Sequence, residues 1–213
     1  MGLGNQMFVY ASLLGLAASN QRRPLLIASH SSRLSKAFQL STDIIPKLPN
    51  NSFTRIREAA SASFHAPFTQ LNCSTQDYHI GTYLQSFKYF MKSKEAVLKE
   101  FQFQPSVKKI CDAILQNITR KLYQNESCLL FMVLGNDYKW NLQNSPNGSV
   151  VFVDMCLLAS SSANIVSTGS FGWWGAFLAG GPATVQARYS RPGSAQYPKY
   201  NIATYWLPHW KPL

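Results

Sequence analysis

An α/β fold is what the sequence predicts, and three observations predict it. Residues 2–28 read as a glycine loop, a helix and a short apolar strand. Residues 164–187 read as strand, small-residue loop, apolar helix, Gly-Gly and strand, the order of a βαβ unit. Finally, 46% apolar side chains in 213 residues are enough to bury a core between such layers.

At the start, Gly2-Leu3-Gly4-Asn5-Gln6 leads into Met7, Tyr10, Ala11, Leu14, Ala17 and Ala18, whose spacing of three and four predicts a helix ending before Arg22 and Arg23. Pro24 then introduces Leu25–Ala28, an apolar run suited to a buried strand. Residues 29–78 are rich in Ser, Thr, Asn and Pro and predict irregular chain with short helices. The aromatic run 80–90 (IGTYLQSFKYF) predicts a strand, and 94–103 predicts a helix. Ser106 suits the cap of a further helix, whose apolar stripe is Val107, Ile110, Cys111, Ile114, Ile118 and Leu122. The last third alternates as in a parallel sheet. Strand 129–134 is followed by a loop with Asp137, helix 153–159, strand 164–167, helix 171–179 ending at Gly180-Gly181, and strand 183–187.

Charge narrows the partners. Twenty Lys and Arg against nine Asp and Glu give a net charge of +11, which favours phosphate, nucleic acid or an anionic membrane surface. The basic residues are dispersed and form no polybasic tract, which argues against nucleic acid. Cys73, Cys111, Cys128 and Cys156 show neither C-x-x-C pairs nor zinc spacing, so no metal site is predicted, and three complete disulfide pairings stay open. Five N-x-[ST] glycosylation acceptors, Asn50, Asn72, Asn117, Asn125 and Asn147, point to the secretory lumen. No apolar run is long enough to span a bilayer, so a lumenal protein of this kind is expected to have its membrane anchor upstream of this numbering.

Two loops carry the chemistry. Gly2–Gln6 and Ser167-Thr168-Gly169-Ser170 each set small residues ahead of a helix, where unpaired N–H groups and the positive end of the helix dipole suit a phosphate. Ordinary helix capping is the plainer reading of the second loop. For Asn5 it is a loop residue bonding its own backbone. Phe171-Gly172-Trp173-Trp174 follows at once, with core packing as the default for both tryptophans and a stacked sugar or nucleobase as the alternative.

These residues carry a specific resemblance. Gly2-Leu3-Gly4-Asn5-Gln6-Met7-Phe8 and Ser170-Phe171-Gly172-Trp173-Trp174-Gly175-Ala176-Phe177-Leu178-Ala179-Gly180-Gly181 resemble two signature motifs of the alpha-1,2-fucosyltransferases, glycosyltransferase family 11. Tyr83–Phe90, Asp154–Ile165 and Tyr205-Trp206-Leu207-Pro208 with Trp210 are similar to further segments of that family, in the same order. The resemblance implies a GT-B-like fold with Rossmann-type halves, here truncated or internally deleted. Residues 1–104 would form the acceptor-side half and 105–213 the donor-binding half.

The same resemblance implies inverting transfer of L-fucose from GDP-fucose to the 2-hydroxyl of a β-galactoside, without a metal, on the lumenal side of the Golgi membrane. It implies a catalytic place for Asn5 near the reacting sugar and donor contacts from Gly2, Gly4, Gln6, Ser167, Thr168, Ser170, Phe171, Gly172 and Trp173. Gly135-Asn136-Asp137-Tyr138-Lys139-Trp140 resembles the family's Ser-Asp-Asp-x-x-Trp, which gives Asp137 the guanine base. The two helix mouths are expected to face each other across a cleft that holds the pyrophosphate.

One segment is missing. Between Ser127-Cys128 and Leu129-Leu130 the family carries a strand and His-x-Arg-Arg-Gly-Asp, whereas no Arg-Arg-Gly-Asp occurs in this chain. Without a metal, a fixed cation must stabilise the charge growing on the leaving diphosphate, and losing such a contact costs about 10²-fold in rate or more. Lys121, Lys139 and Arg188 are the substitutes named by the sequence, and Asp43, Asp77 and Asp154 are among the acids available as general base. Three readings follow: an active fucosyltransferase, a shortened form that binds sugar nucleotide or glycan without turnover, and an unrelated nucleotide-binding module.

Overall fold

The structure, a computed structural model, describes residues 2–48, 53–58, 60, 62–71, 76–81, 84–122, 130–133, 150–187, 193 and 201–213, with backbone alone at 121–122 and 130–133. It is α/β. In chain order the elements are α1 (Leu3–Ser19), β1 (Leu26–Ile27), α2 (Ala28–Ala37), β2 (Ile44–Ile45), β3 (Phe53–Ile56), β4 (Asp77–Ile80), α3 (Lys94–Glu100), α4 (Pro105–Leu122), β5 (Leu130–Val133), α5 (Val150–Ala159), β6 (Ala163–Val166), α6 (Ser170–Ala179), β7 (Ala183–Val185), α7 (Ile202–Tyr205) and β8 (Lys211–Pro212). Single-turn 3₁₀ segments lie at Ala66–Thr69, Phe87–Tyr89 and Met91–Ser93.

The last third follows the predicted alternation. Strands β5, β6, β7 and β8 form one parallel sheet in that order, with Val133 opposite Val166 and Val166 opposite Val185. Helices α5 and α6 are the crossovers on this sheet, and both are apolar nearly all round because both are buried. Gly180, at φ +70°, closes α6 in the left-handed conformation, and its N–H bonds the carbonyl of Ala176. Strand β8 is not predicted. Its two residues include Pro212, tolerated because β8 lies at the sheet's edge. On the opposite side β5 has β6 as its one neighbour among the described residues.

Four expectations are corrected. Residues 29–78 are more regular than their composition predicts, with α2 and two parallel strand pairs, β1–β2 and β3–β4. Ala28 opens α2 rather than closing a strand. Ser31, Leu34 and Ala37 form its buried stripe, so packing outweighs the weak helix propensity of a Ser-rich segment. The run 80–90 is not one strand. Strand β4 stops at Ile80, Leu84 turns at φ +42°, and Phe87, Tyr89 and Phe90 enter the core from tight turns. Finally, α4 begins at Pro105, whose missing N–H costs nothing in a first turn, so Ser106 lies within the helix and is not its cap.

One hydrophobic cluster runs from Leu3 to Trp210, on both sides of residue 104. At its centre, Phe8 of α1 lies 4.7 Å from Trp173 and 5.1 Å from Trp174, and Phe90 stacks on Trp174 at 5.4 Å. Helix α1 is thereby fastened to α6, and their first turns come together.

Candidate functional site

Gly4 is where the two helices touch. A Cβ placed there would lie 2.6 Å from the carbonyl carbon of Ser170 and 2.7 Å from the amide nitrogen of Phe171, so glycine alone permits this approach. The mouths of α1 and α6 are therefore side by side and in contact, which corrects the expectation of a cleft between them. Gly2, beside the contact, is exposed and has open space where a side chain would be.

Neither mouth is capped by a side chain, and neither first turn contains an acid. In α1 the first helical bond runs from the Gln6 N–H to the Gly2 carbonyl, and in α6 from the Trp173 N–H to that of Gly169. The amides of Leu3, Gly4 and Asn5, and of Ser170, Phe171 and Gly172, have no partner within their own helices. The positive ends of two helix dipoles thus meet, and neither first turn supplies a carboxylate to cancel their potential. The capping reading of Thr168 and Ser170 is overturned: the Ser170 hydroxyl goes elsewhere.

It goes to Asn5. Ser170 Oγ donates to Asn5 Oδ1 at 2.6 Å, and Gln85 Nε2 donates to the same oxygen at 2.7 Å. The Asn5 side chain bonds across helices and not to its own backbone. Gln85 reaches it because Leu84, fully buried, holds a left-handed turn. That turn is secured by Ser12 Oγ donating to the Leu84 carbonyl at 3.1 Å, and by Ser86 Oγ donating to the Thr204 carbonyl at 2.6 Å. A non-glycine residue in this region costs on the order of 1 kcal/mol, which such surroundings must offset. Nothing local in the sequence reveals Gln85, since its partner lies 80 positions away.

The other residues named by sequence fall as follows. Gln6 is buried, and its Oε1 has no hydrogen-bond partner among the described residues. Ser167 and Thr168 are partly exposed at the carboxyl end of β6, Phe171 is partly exposed, and Gly172 is buried. Trp173 and Trp174 are both 0% exposed, so neither ring offers a face to a ligand. Trp173 donates Nε1–H to the Tyr205 carbonyl at 2.9 Å, and its role in the donor set is corrected to core support beneath the mouth. Asp137, Lys139, Arg188 and the acceptors Asn50, Asn72, Asn125 and Asn147 lie outside the described residues. Asn117 is exposed on α4.

Among the named acids, Asp43 pairs with Arg23 on the surface, while Asp77 and Asp154 are exposed. None shares a hydrogen bond with Asn5, Gln85 or Ser170. No group of three or more His, Cys, Asp or Glu able to hold a metal occurs among the described residues. Cys111 and Cys156 are buried free thiols on α4 and α5, and burial followed by the neighbouring Cys111 pushes the Cys156 thiol up. No described helix is long and apolar enough to cross a membrane.

The model of the family described as glycosyl transferase family 11 matches residues 104–212, half of the chain and all of α6. The chain belongs to that family. It is therefore a glycosyltransferase by descent, and the reading as an unrelated nucleotide-binding module is set aside. Relatives extend the match over α1. Galactoside alpha-(1,2)-fucosyltransferase 2 of Rattus norvegicus is 24% identical, covering 98% of this glycosyltransferase and 73% of its own length. Galactoside 2-alpha-L-fucosyltransferase Sec1 of Mus musculus is 24% identical over 98% and 70%, and galactoside alpha-(1,2)-fucosyltransferase 1 of Saimiri sciureus is 24% identical over 97% and 71%. The alignment to the rat protein runs over 271 residues, against 213 in this chain, so tens of the relative's residues have no counterpart here. No solved structure matches the chain significantly.

Proposed function

We propose that this glycosyltransferase uses GDP-fucose to fucosylate the 2-hydroxyl of a β-galactoside, with the diphosphate lying against the joined mouths of α1 and α6. The observation that carries the reading is the convergence of two uncapped, acid-free helix starts on Asn5. The relatives' printed activities supply the sugar and the acceptor class. In this reading the acceptor oxygen attacks C1 of fucose from the face opposite GDP, inverting that carbon. The first-turn amides of the two helices and Asn5 bear the charge that gathers on the departing diphosphate, and the fixed dipoles need no reorganisation as it does so. Asp137 accepts from the guanine base, and no metal takes part.

The same reading gives a GT-B-like arrangement of Rossmann-type halves, with 1–104 on the acceptor side and 105–213 on the donor side. It also sets the protein in the Golgi lumen, with glycans on the N-x-[ST] asparagines.

The test is release of GDP from GDP-fucose with a β-galactoside acceptor, run with and without EDTA. Transfer that survives EDTA supports the proposal, and EDTA-sensitive transfer refutes its metal-free part. A second reading is favoured by the lack of Arg-Arg-Gly-Asp and by the shorter chain: a form that binds sugar nucleotide or glycan without turnover. Calorimetric binding of GDP by a folded sample that releases none would select it, and absence of both binding and turnover would reject both readings.

A further inference from the structure

The amide of Asn5 has two ends, and the structure uses only one. Its oxygen accepts two hydrogen bonds, from Ser170 Oγ at 2.6 Å and Gln85 Nε2 at 2.7 Å. Because the group is planar, Nδ2 must then point away from both donors. Nδ2 has no hydrogen-bond partner among the described residues, and it is absent from the polar atoms sealed off from solvent, so it keeps some exposure to solvent. A lone asparagine could rotate its amide and offer either end. Turning the Asn5 amide alone would set its NH₂ group against that of Gln85, a clash of two donors that persists as long as Gln85 keeps its own amide in place.

We infer that Gln85 and Ser170 are positioning residues that lock the Asn5 amide with its NH₂ facing outwards, as a donor to a diphosphate oxygen of the bound nucleotide. The inference rests on the sugar-nucleotide reading above. It explains an observation which that reading leaves unused: the left-handed turn at buried Leu84, which delivers Gln85. A donor to a charged oxygen is worth more than one to a neutral group, so fixing its direction has a measurable effect on affinity.

The experiment is a double-mutant cycle read by calorimetric titration of GDP into the folded protein. Gln85→Met removes the tether at nearly constant volume, and Asn5→Ala removes the group it positions. The expected result is about tenfold weaker GDP binding for Gln85→Met in the wild-type background, and a change below about twofold when Asn5→Ala is already present. Equal losses in both backgrounds, or no loss in either, would overturn the inference while leaving nucleotide binding intact. Wild-type protein that binds no GDP would overturn the sugar-nucleotide reading and this inference with it. Should Gln85→Met fail to fold by circular dichroism, Ser170→Ala completes the same cycle with the same expected pattern.

Discussion

Ser170 Oγ and Asn5 Oδ1 lie 2.6 Å apart in space and 165 positions apart in sequence, joining the first turn of α6 to that of α1. The bond is possible because the backbones already touch at Gly4, and that contact has a direct mutational consequence.

Gly4→Ala forces a methyl group against the Ser170 carbonyl and should destabilise the protein by about 1–3 kcal/mol through overpacking. Gly2→Ala, two residues earlier with open space around it, should change stability by less than about 0.5 kcal/mol. Urea denaturation of the two variants checks the contrast. Equal effects would mean that the helices do not meet at Gly4.

The tryptophan pair offers a second test. Trp173→Ala removes a fully buried ring and should cost about 3–5 kcal/mol. Trp173→Phe also removes the indole donor to the Tyr205 carbonyl, whereas the Trp174 indole N–H has no partner among the described residues to lose. Thermal melts should therefore rank Trp173→Phe as more damaging than Trp174→Phe, by about 1 kcal/mol. The reverse ranking would contradict the assigned hydrogen bond.

Acid should unfold the protein in part through Glu100. Burial alone would raise this carboxyl, but hydrogen bonds from Ser41 and Tyr10, with the main chain of Ser41 and Thr42, hold it below the usual carboxylate range. With a folded value below the unfolded one, its stabilisation is present above the unfolded value and lost as pH falls through the folded value. Denaturation midpoints should fall as pH drops below about 4.5, and Glu100→Gln should flatten that slope. A slope unchanged in Glu100→Gln would remove Glu100 from the account.

Glu58 should act with the opposite sign. Burial pushes its carboxyl up to about 7, against the hydrogen bonds of Tyr89 and the Leu84 main chain. A folded value above the unfolded one gives stability that is complete below the unfolded value and lost as pH rises through the folded one. Stability should decline from about pH 4.5 to pH 7, then level off, and Glu58→Gln should abolish the decline. An identical profile in Glu58→Gln would refute the assignment. Glu58 and Tyr89 lie beside the Leu84 turn that carries Gln85, so the same titration should be looked for in nucleotide affinity.

Asn117 is the glycosylation acceptor whose surroundings are described, exposed on α4. Expressed through the secretory pathway, the chain should lose mass at Asn117 on treatment with a peptide-N-glycosidase, and peptide mapping would show whether it does. Asn117→Gln should leave the melting temperature within about one degree, because the residue is exposed on the surface of α4.

How much was legible beforehand follows from the range of each interaction. Helices α1 and α4 announce themselves in the spacing of their apolar residues, and α5, α6 and strands β5 to β7 in apolar runs that alternate along the last third. Strands β2 to β4 lie in Ser-, Thr- and Asn-rich chain that carries no apolar run, so no strand signal registers there. The aromatic run ending at Phe90 misleads. Its rings reach the core through a kink at Leu84 and not by alternation.

By itself the sequence determined the α/β class, the two glycine-and-serine helix starts, the family, and the lack of an Arg-Arg-Gly-Asp segment, all properties written in local order and spacing. Only the tertiary structure decided that those two starts touch at Gly4, that both tryptophans are core, and that Gln85 aims Asn5. The physical reason is that residues 80 or 165 positions apart meet only when the aromatic core between α1 and α6 closes. The geometry of that closure is set by packing across the whole molecule and by no segment of it.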